Sequence, residues 1–177
     1  MSDGPGSGRP SGPLVVLVGA MGAGKTTVAT LLAEAYGVTA RDTDTDVEAA
    51  EGRSISDIFV ESGEAHFRAL ERDAVASALA SHTGVLSLGG GAVLDETTRE
   101  LLAGHRVVFL RVGLAEAVKR VGLGAGRPLL FGNVRARIKA TLEERAPIYE
   151  SVATVVVDTD ETSPDDVARR IQEALTP

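Results

Sequence analysis

The sequence of 177 residues contains no cysteine. This absence excludes disulfides and thiolate metal sites, and a reducing compartment, the cytoplasm, is the location that we expect. Basic residues are also few, since 18 Lys and Arg stand against 25 Asp and Glu, which gives a net charge of -7. Such a balance argues against a surface that coats nucleic acid, although it permits a local basic pocket. We therefore expect no nucleic-acid partner.

Long apolar runs are missing as well. No stretch approaches the ~20 apolar residues that a membrane-spanning helix needs, so we expect no membrane partner. The first twelve residues, "MSDGPGSGRPSG", are rich in Gly, Ser and Pro and lack the apolar segment of a signal peptide. We interpret residues 1–12 as a disordered extension and residues 13–177 as one domain, because no linker or repeat divides them.

The remaining chain alternates between strand and helix patterns. Buried-strand patterns cover residues 14–18, 84–88, 106–112 and 154–158, and a shorter strand ends near Asp42. Helical patterns cover residues 25–36, 45–51, 54–81 with a break near Gly63, 95–103, 114–121, 134–150 and 164–175. Asp95 and Ser163 are expected to cap two of these helices. The alternation predicts an α/β fold, with helices on both faces of a parallel sheet.

The stretch "GAMGAGKT" matches the pattern G-x-x-x-x-G-K-S/T, with Gly19, Gly24, Lys25 and Thr26 in the fixed positions. The glycines allow several backbone N–H groups to point into one hollow at a helix N-terminus, where an anion is favoured. A glycine-rich turn that matches by chance is the alternative. Because a predicted strand precedes the motif and a predicted helix follows it, we favour phosphate binding. The motif predicts a nucleotide site without naming a reaction.

Three alternating carboxylates follow in "RDTDTDVE", namely Asp42, Asp44 and Asp46. Residues two apart on a strand share a face, so we expect Asp42 and Asp44 to face a cleft at the carboxyl end of the second strand. One would face a Mg²⁺–phosphate group and the other a substrate hydroxyl. The alternative is a solvated acidic turn that caps the next helix.

Several arginines lie beside glycine-rich turns in this acidic chain, which suggests an anion pocket. Arg68 precedes Glu71 by three residues on one helix face, where a surface ion pair is the alternative. The triplet "GGG" at residues 89–91 follows a strand. Its bare backbone could approach a ligand, and the alternative is a flexible turn. Arg127 in "GAGRPLL" fits a mobile lid or an unremarkable surface loop. Arg145 lies in "EERAPIYE" near a helix end.

Together these motifs resemble the shikimate kinases of the nucleoside-monophosphate-kinase-like P-loop superfamily. The matching pieces are "GAMGAGKTT", "DTDTDVEAAEGRSISDIF", "SGEAHFRALE", "LSLGGGAV", "GRPLL", "RAPIYESVA" and "VDTDETSPDDV", which span about residues 14–175. The family pattern D-x-D-x-x-I/V-E-x-x-x-G fits fully when it starts at Asp42. We therefore choose Asp42 and Asp44, and treat Asp46 as a helix-start charge.

The resemblance implies a single-domain, three-layer α/β/α P-loop kinase fold with a five-stranded parallel sheet. It also implies ATP-dependent phosphorylation of the 3-hydroxyl of shikimate, with Mg²⁺, by a monomer that serves chorismate and aromatic amino acid biosynthesis. The implied catalytic residues are Lys25, Asp44 and Arg127, the last on a lid of about residues 122–133. The implied ATP-binding residues are Gly22, Ala23, Gly24, Lys25, Thr26, Thr27, Arg120 (stacked on adenine), Arg127, Ser163 and Pro164. The implied shikimate-binding residues are Asp44, Arg68, Gly89, Gly90, Gly91 and Arg145, and the implied metal-site residues are Thr26 and Asp42.

Two other functions remain open. A kinase of another small hydroxy acid, such as gluconate, shares the phosphate-binding motif but does not predict the set Arg68, Arg145 and residues 89–91. A non-catalytic P-loop module binds nucleotide alone, and the presence of Lys25, Thr26 and Asp44 argues against it.

Overall fold

The structure, a computed structural model, describes residues 11–124 and 133–177. Most of the predicted N-terminal extension, residues 1–10, lies outside these ranges. Gly12 was predicted to belong to that extension, but it is buried and has a φ of 128°. A Cβ added at Gly12 would lie only 3.1 Å from the His105 ring. The packed part of the chain therefore includes Gly12 and does not begin at residue 13.

Five parallel strands form one sheet in the order β2-β3-β1-β4-β5. They are β1 (Val15–Val18), β2 (Ala40–Asp42), β3 (Val85–Ser87), β4 (Val107–Arg111) and β5 (Val155–Asp158). Successive residues of β1 are all buried, which shows that helices cover both faces of the sheet. The chain builds the sheet on one side of β1 and then on the other, so a ligand crevice is expected at the carboxyl end of β1.

Eight α-helices and a short 3₁₀ turn (Ala92–Leu94) connect the strands in the described ranges. The helices are α1 (Lys25–Tyr36), α2 (Thr43–Glu51), α3 (Ile55–Ser62), α4 (Glu64–Ser81), α5 (Glu96–Leu102), α6 (Leu114–Gly124), α7 (Asn133–Val152) and α8 (Pro164–Leu175). The predicted break at Gly63 and the predicted caps Asp95 and Ser163 are confirmed. No helix within the described residues is both long and apolar enough to cross a bilayer.

The junction between β2 and α2 differs from the prediction. The Asp42 carboxylate accepts hydrogen bonds from the backbone N–H groups of Asp44, at 2.8 Å, and Thr45, at 3.4 Å. This N-cap ends the strand at Asp42 and starts the helix at Thr43, two residues earlier than expected. Asp42 and Asp44 therefore do not share the face of a strand, because Asp44 lies in the first turn of α2.

A small second core supports the region beside the crevice. Val47 of α2, Ile58 of α3 and Phe67 of α4 form this buried cluster, and the rings of Phe59 and Phe67 lie 4.9 Å apart. The cluster joins the three helices, so it fixes the position of Arg68, the residue that follows Phe67 on α4.

Candidate active site

A cleft of about 640 Å³ opens at the carboxyl ends of the strands. Residues from at least five distant segments of the chain meet there, as expected for the crevice of a parallel sheet. Among the predicted site residues, the cleft is lined by Gly22, Gly24, Lys25, Thr26, Thr27, Asp42, Asp44, Arg68, Gly89, Gly90, Gly91 and Arg145. The phosphate-binding motif and the predicted substrate residues therefore share one cavity.

The phosphate-binding loop, residues 19–26 (the P-loop), leaves β1 and enters α1. Gly22 and Gly24 have φ values of 84° and 89°, and a Cβ at Gly19 would lie 2.6 Å from the Leu110 carbonyl oxygen. These positions require glycine. Among the described residues no side chain caps α1, and no acid lies in its first turn, so its N-terminal N–H groups are open to an anion.

Ala23 is a predicted ATP-binding residue of the P-loop that does not line the cleft. It is 1% exposed, and its N–H donates to the Ala20 carbonyl at 3.1 Å. Its contact with ATP stays a prediction.

Lys25 reaches back over the P-loop. Its Nζ donates to the carbonyls of Gly19, at 2.6 Å, and Ala20, at 3.1 Å. Burial lowers the pKa of Lys25 to about 8, although Asp44 and Asp42 act in the opposite direction. The ammonium thus lies partly desolvated beside the open end of α1, where a phosphate group would stabilise its charged form.

Asp44 faces the same cleft from the first turn of α2. Burial raises the pKa of Asp44 to about 6, with Asp42 and Glu71 adding to the effect and Lys25 opposing it. Its Oδ1 is buried without a hydrogen-bond partner among the described residues. A Cβ at Gly89 would overlap this carboxylate, which is why glycine is required there. The unpaired oxygen is available to a hydroxyl group of a ligand.

Arg68 approaches the cleft from α4. It pairs with Glu71 at 2.8 Å, and the Glu71 side chain is only 4% exposed, so this is not the surface ion pair considered as the alternative. A Cβ at Gly91 would overlap the Arg68 guanidinium. Glu71 thus holds Arg68 against the backbone of residues 89–91.

Arg145 approaches the same backbone from α7. Its Nη1 lies 3.6 Å from the position of a Cβ at Gly90, and its Nε is buried without a hydrogen-bond partner in the described part of the chain. Arg145 forms no ion pair with a described carboxylate. Together with Arg68, this guanidinium makes the site suited to a carboxylate group of a ligand.

The predicted adenine-side residues lie outside the cleft. Arg120 donates to the Gly22 carbonyl at 3.0 Å and to the Thr159 carbonyl at 3.1 Å, so it joins the P-loop to the segment after β5. Ser163 caps α8 by accepting a hydrogen bond from the Asp166 N–H at 3.1 Å, and Pro164 occupies the first turn. Their contacts with the base stay predictions.

Arg127 lies outside the described residues, as do positions 125–132 as a whole. The ends of the predicted lid are helical, because α6 continues to Gly124 and α7 begins at Asn133.

Three further residues of the site were not predicted. Arg137 lines the cleft on α7. It precedes Thr141 by four residues and Arg145 by eight, and this helical spacing places it on the face of Arg145, which could have indicated it. Thr43 and Tyr149 hold the backbone of residues 89–91 from outside the cleft. Thr43 stands in the motif "DTDTD" and Tyr149 in "RAPIY", but neither motif indicates what the hydroxyl contacts.

The described residues contain no group of three or more His, Cys, Asp or Glu side chains placed to hold a metal ion. The Thr26 hydroxyl and the Asp42 carboxylate do line the same cleft beside the open end of α1. Such hard oxygen donors fit Mg²⁺ when phosphate oxygens and waters complete its coordination.

Comparisons with known proteins agree with this geometry. The family model described as "Shikimate kinase" matches residues 21–176. Shikimate kinase from Thermobifida fusca is 59% identical over 93% of this chain and 96% of its own length, and that from Salinispora arenicola is 60% identical over 92% and 98%. The solved shikimate kinase from Acinetobacter baumannii, in complex with shikimate, superimposes with a TM-score of 0.86 at 32% identity, covering 94% of each chain. The chain therefore belongs to the shikimate kinase family.

Proposed function

We propose that this chain transfers the γ-phosphoryl group of ATP to the 3-hydroxyl of shikimate, which gives shikimate 3-phosphate and ADP. The observation that carries the proposal is the single cleft with a P-loop at one end and Asp44, Arg68 and Arg145 at the other. Family membership supports the same reaction, a step on the route to chorismate and the aromatic amino acids.

ATP is proposed to place its phosphates at the P-loop. The free N–H groups at the start of α1 and the Lys25 ammonium face the space that the β- and γ-phosphates would occupy. Binding of phosphate would replace the contacts of Nζ with the Gly19 and Ala20 carbonyls. Arg120, one side of which already holds the Gly22 carbonyl, is proposed to lie beside adenine together with residues 163–164.

Mg²⁺ is proposed to bind through Thr26 and Asp42. The Asp42 Oδ1 is used in capping α2, and its second oxygen, which accepts no hydrogen bond from a described residue, would face a metal-bound water. When bound, the ion neutralises charge on the β- and γ-phosphates.

Shikimate is proposed to bind with its carboxylate between Arg68 and Arg145 and its 3-hydroxyl at Asp44. The buried, unpaired Asp44 Oδ1 accepts a hydrogen bond from that hydroxyl and orients its oxygen toward phosphorus. A bond forms between the hydroxyl oxygen and the γ-phosphorus, the bond to the β–γ bridging oxygen breaks, and the hydroxyl proton moves to Asp44 late in the reaction.

Arg127 is proposed to supply a further positive charge to the transferred phosphoryl group. This proposal rests on the "GRPLL" motif, because the residue lies outside the described ranges. We also propose that the enzyme acts as a monomer and, because the sequence contains no cysteine, that it works in the reducing cytoplasm.

Steady-state ADP formation with shikimate, with gluconate and with no acceptor tests the proposal. We expect turnover only with shikimate, and loss of nearly all of it in a folded Lys25→Ala variant. Faster turnover with gluconate would favour a different hydroxy-acid kinase. ATP binding without turnover on any acceptor would favour a non-catalytic nucleotide-binding module.

A further inference from the structure

The backbone of residues 89–91, called the glycine loop here, is held by two hydroxyl groups. The Gly89 N–H donates to Thr43 Oγ1 at 3.2 Å, and Thr43 is fully buried. The Tyr149 hydroxyl donates to the Gly90 carbonyl at 2.5 Å. Two different helices, α2 and α7, therefore fix two peptide groups, Leu88–Gly89 and Gly90–Gly91, in a loop that has no side chains of its own.

Tyr149 lies behind the glycine loop and does not line the cleft. It is 1% exposed, it borders a separate cavity of about 260 Å³, and its ring lies 4.9 Å from that of Phe109 on β4. Burial raises the pKa of Tyr149, while the nearby Arg145 acts in the opposite direction. The hydroxyl therefore remains protonated at neutral pH and able to donate.

The direction of the Gly90 carbonyl determines the direction of the next N–H. In a trans peptide group the C=O and the following N–H point in opposite directions. Because the Gly90 carbonyl points back to Tyr149, the Gly91 N–H points forward to the side that borders the cleft. Within the described ranges, neither the Gly90 nor the Gly91 N–H donates a hydrogen bond to the protein.

We propose that Tyr149 is a positioning residue for the acceptor substrate: its hydroxyl fixes the Gly90–Gly91 peptide so that the Gly91 N–H is presented to an oxygen atom of a hydroxy acid. This inference rests on the proposed function. Arg145 lies four residues before Tyr149 on α7, one helical turn away. The helix that brings a guanidinium to the acceptor thus also sets the orientation of the peptide beside it.

Tyr149→Phe isolates the hydroxyl, because the ring and its packing against Phe109 are kept. Without the hydrogen bond the peptide is free to rotate, so we expect the dissociation constant of shikimate to rise about 3- to 10-fold. The dissociation constant of ATP should stay within about twofold of the wild-type value, since the P-loop is untouched. Isothermal titration with each ligand measures both constants.

Phe109→Leu is the matched control, because it weakens the packing of the Tyr149 ring and leaves the hydroxyl. We expect it to lower the melting temperature while shikimate binds as in the wild type. Unchanged shikimate affinity in Tyr149→Phe, equal losses for both ligands, or an equal loss of shikimate affinity in Phe109→Leu would each overturn the positioning role. A wild-type chain that does not phosphorylate shikimate would instead contradict the proposed function.

Discussion

Lys25 and Asp44 occupy one cleft with pKa values displaced toward neutrality from opposite sides. Burial is the largest cause in both cases and lowers the pKa of Lys25 to about 8 while it raises the pKa of Asp44 to about 6. Each charge partly relieves the other, but not enough to restore the ordinary values. The charges of a bound ligand can therefore change the protonation of both groups near neutral pH.

Binding of ATP should draw a proton onto Lys25. At pH 8 about half of the ligand-free chains carry a neutral Lys25, and phosphate oxygens beside Nζ favour the ammonium. Titration calorimetry at pH 8 in buffers of different ionisation enthalpy should show uptake of about half a proton per ATP. Lys25→Arg, whose guanidinium stays charged, should abolish the uptake. Net proton release by the wild type would contradict the location of the phosphates.

Asp44 should lower the stability of the free protein. The pKa of Asp44 is higher in the folded protein, at about 6, than in the unfolded chain. The protonated carboxyl therefore favours the folded state below about pH 4, and this contribution is lost as the pH rises through about 6. Asp44→Asn should therefore unfold roughly 3 °C or more above the wild type at pH 7.5, and this gain should shrink toward pH 4. Scanning calorimetry across this range measures it.

Asp46→Asn is the control for that experiment. Asp46 lies on the same helical turn but pairs with Arg41 at 2.7 Å and does not line the cleft, so its removal should bring no gain. A gain for Asp44→Asn that does not depend on pH would show that the buried carboxylate charge is not its cause.

Gly91 should be intolerant of a methyl group for a steric reason. The added Cβ would overlap the Arg68 guanidinium, which the buried Glu71 prevents from moving away. Gly91→Ala should raise the KM for shikimate by at least about tenfold, ~1.4 kcal/mol, and leave the KM for ATP nearly unchanged. Gly90→Ala meets only ordinary contacts at 3.6 Å and should have a smaller effect. Equal effects of the two substitutions would contradict this account of Arg68.

At the scale of an element, the start of α2 shows where a residue pattern allows two structures. The segment "RDTDTDVE" fits a strand that continues past Asp42 and also a strand that ends there in a capped helix. The Asp42 carboxylate decides between them, because its bonds to the N–H groups of Asp44 and Thr45 are possible only in the second. Both acids still line the cleft, as predicted, but a helical turn places Asp44 there.

The Ser163 cap is expected to stabilise α8. Its Oγ accepts a hydrogen bond from the Asp166 N–H, and substitution of such a cap by alanine costs about 1 kcal/mol. Ser163→Ala should lower the melting temperature by about 2–4 °C and leave shikimate affinity unchanged. Ser151→Ala removes an exposed hydroxyl that bonds within α7, and should change the melting temperature less.

ATP affinity adds a second readout to the same variant. If Ser163 borders the base as predicted, Ser163→Ala should also weaken ATP binding. Loss of stability with unchanged ATP affinity would restrict Ser163 to capping, and an unchanged melting temperature would contradict the cap itself.

For the whole molecule, the family, the fold class and the five parallel strands were predicted correctly. Continuous apolar strands such as "LVVLV" alternate with amphipathic helices, and that alternation permits few folds. Most of the predicted residues that line the cleft follow a strand end, and strand ends of a parallel sheet meet at one edge. Arg68 and Arg145 lie within helices, and their substrate role was expected from the family resemblance.

The contacts behind the cleft were not predictable in the same way. The strand order, the burial of Glu71 and the hydrogen bonds of Thr43 and Tyr149 to the glycine loop each join residues that are far apart in sequence or buried by tertiary packing. The periodicity of apolar residues along a helix or strand does not indicate such contacts. Arg137 was missed for another reason, since one arginine on an exposed helix resembles any other solvated charge.

The position of the phosphoryl group on the product tests the central proposal most directly. Wild-type protein with ATP, Mg²⁺ and shikimate should form one phosphomonoester, whose phosphorus couples in a ³¹P–¹H correlation spectrum to the proton on carbon 3. One ADP should appear for each product molecule, because each transfer consumes one ATP; the proposed place of transfer is the cleft that Asp44 shares with the P-loop. Coupling to the proton on carbon 4 or 5, or formation of inorganic phosphate alone, would contradict the proposed orientation of shikimate.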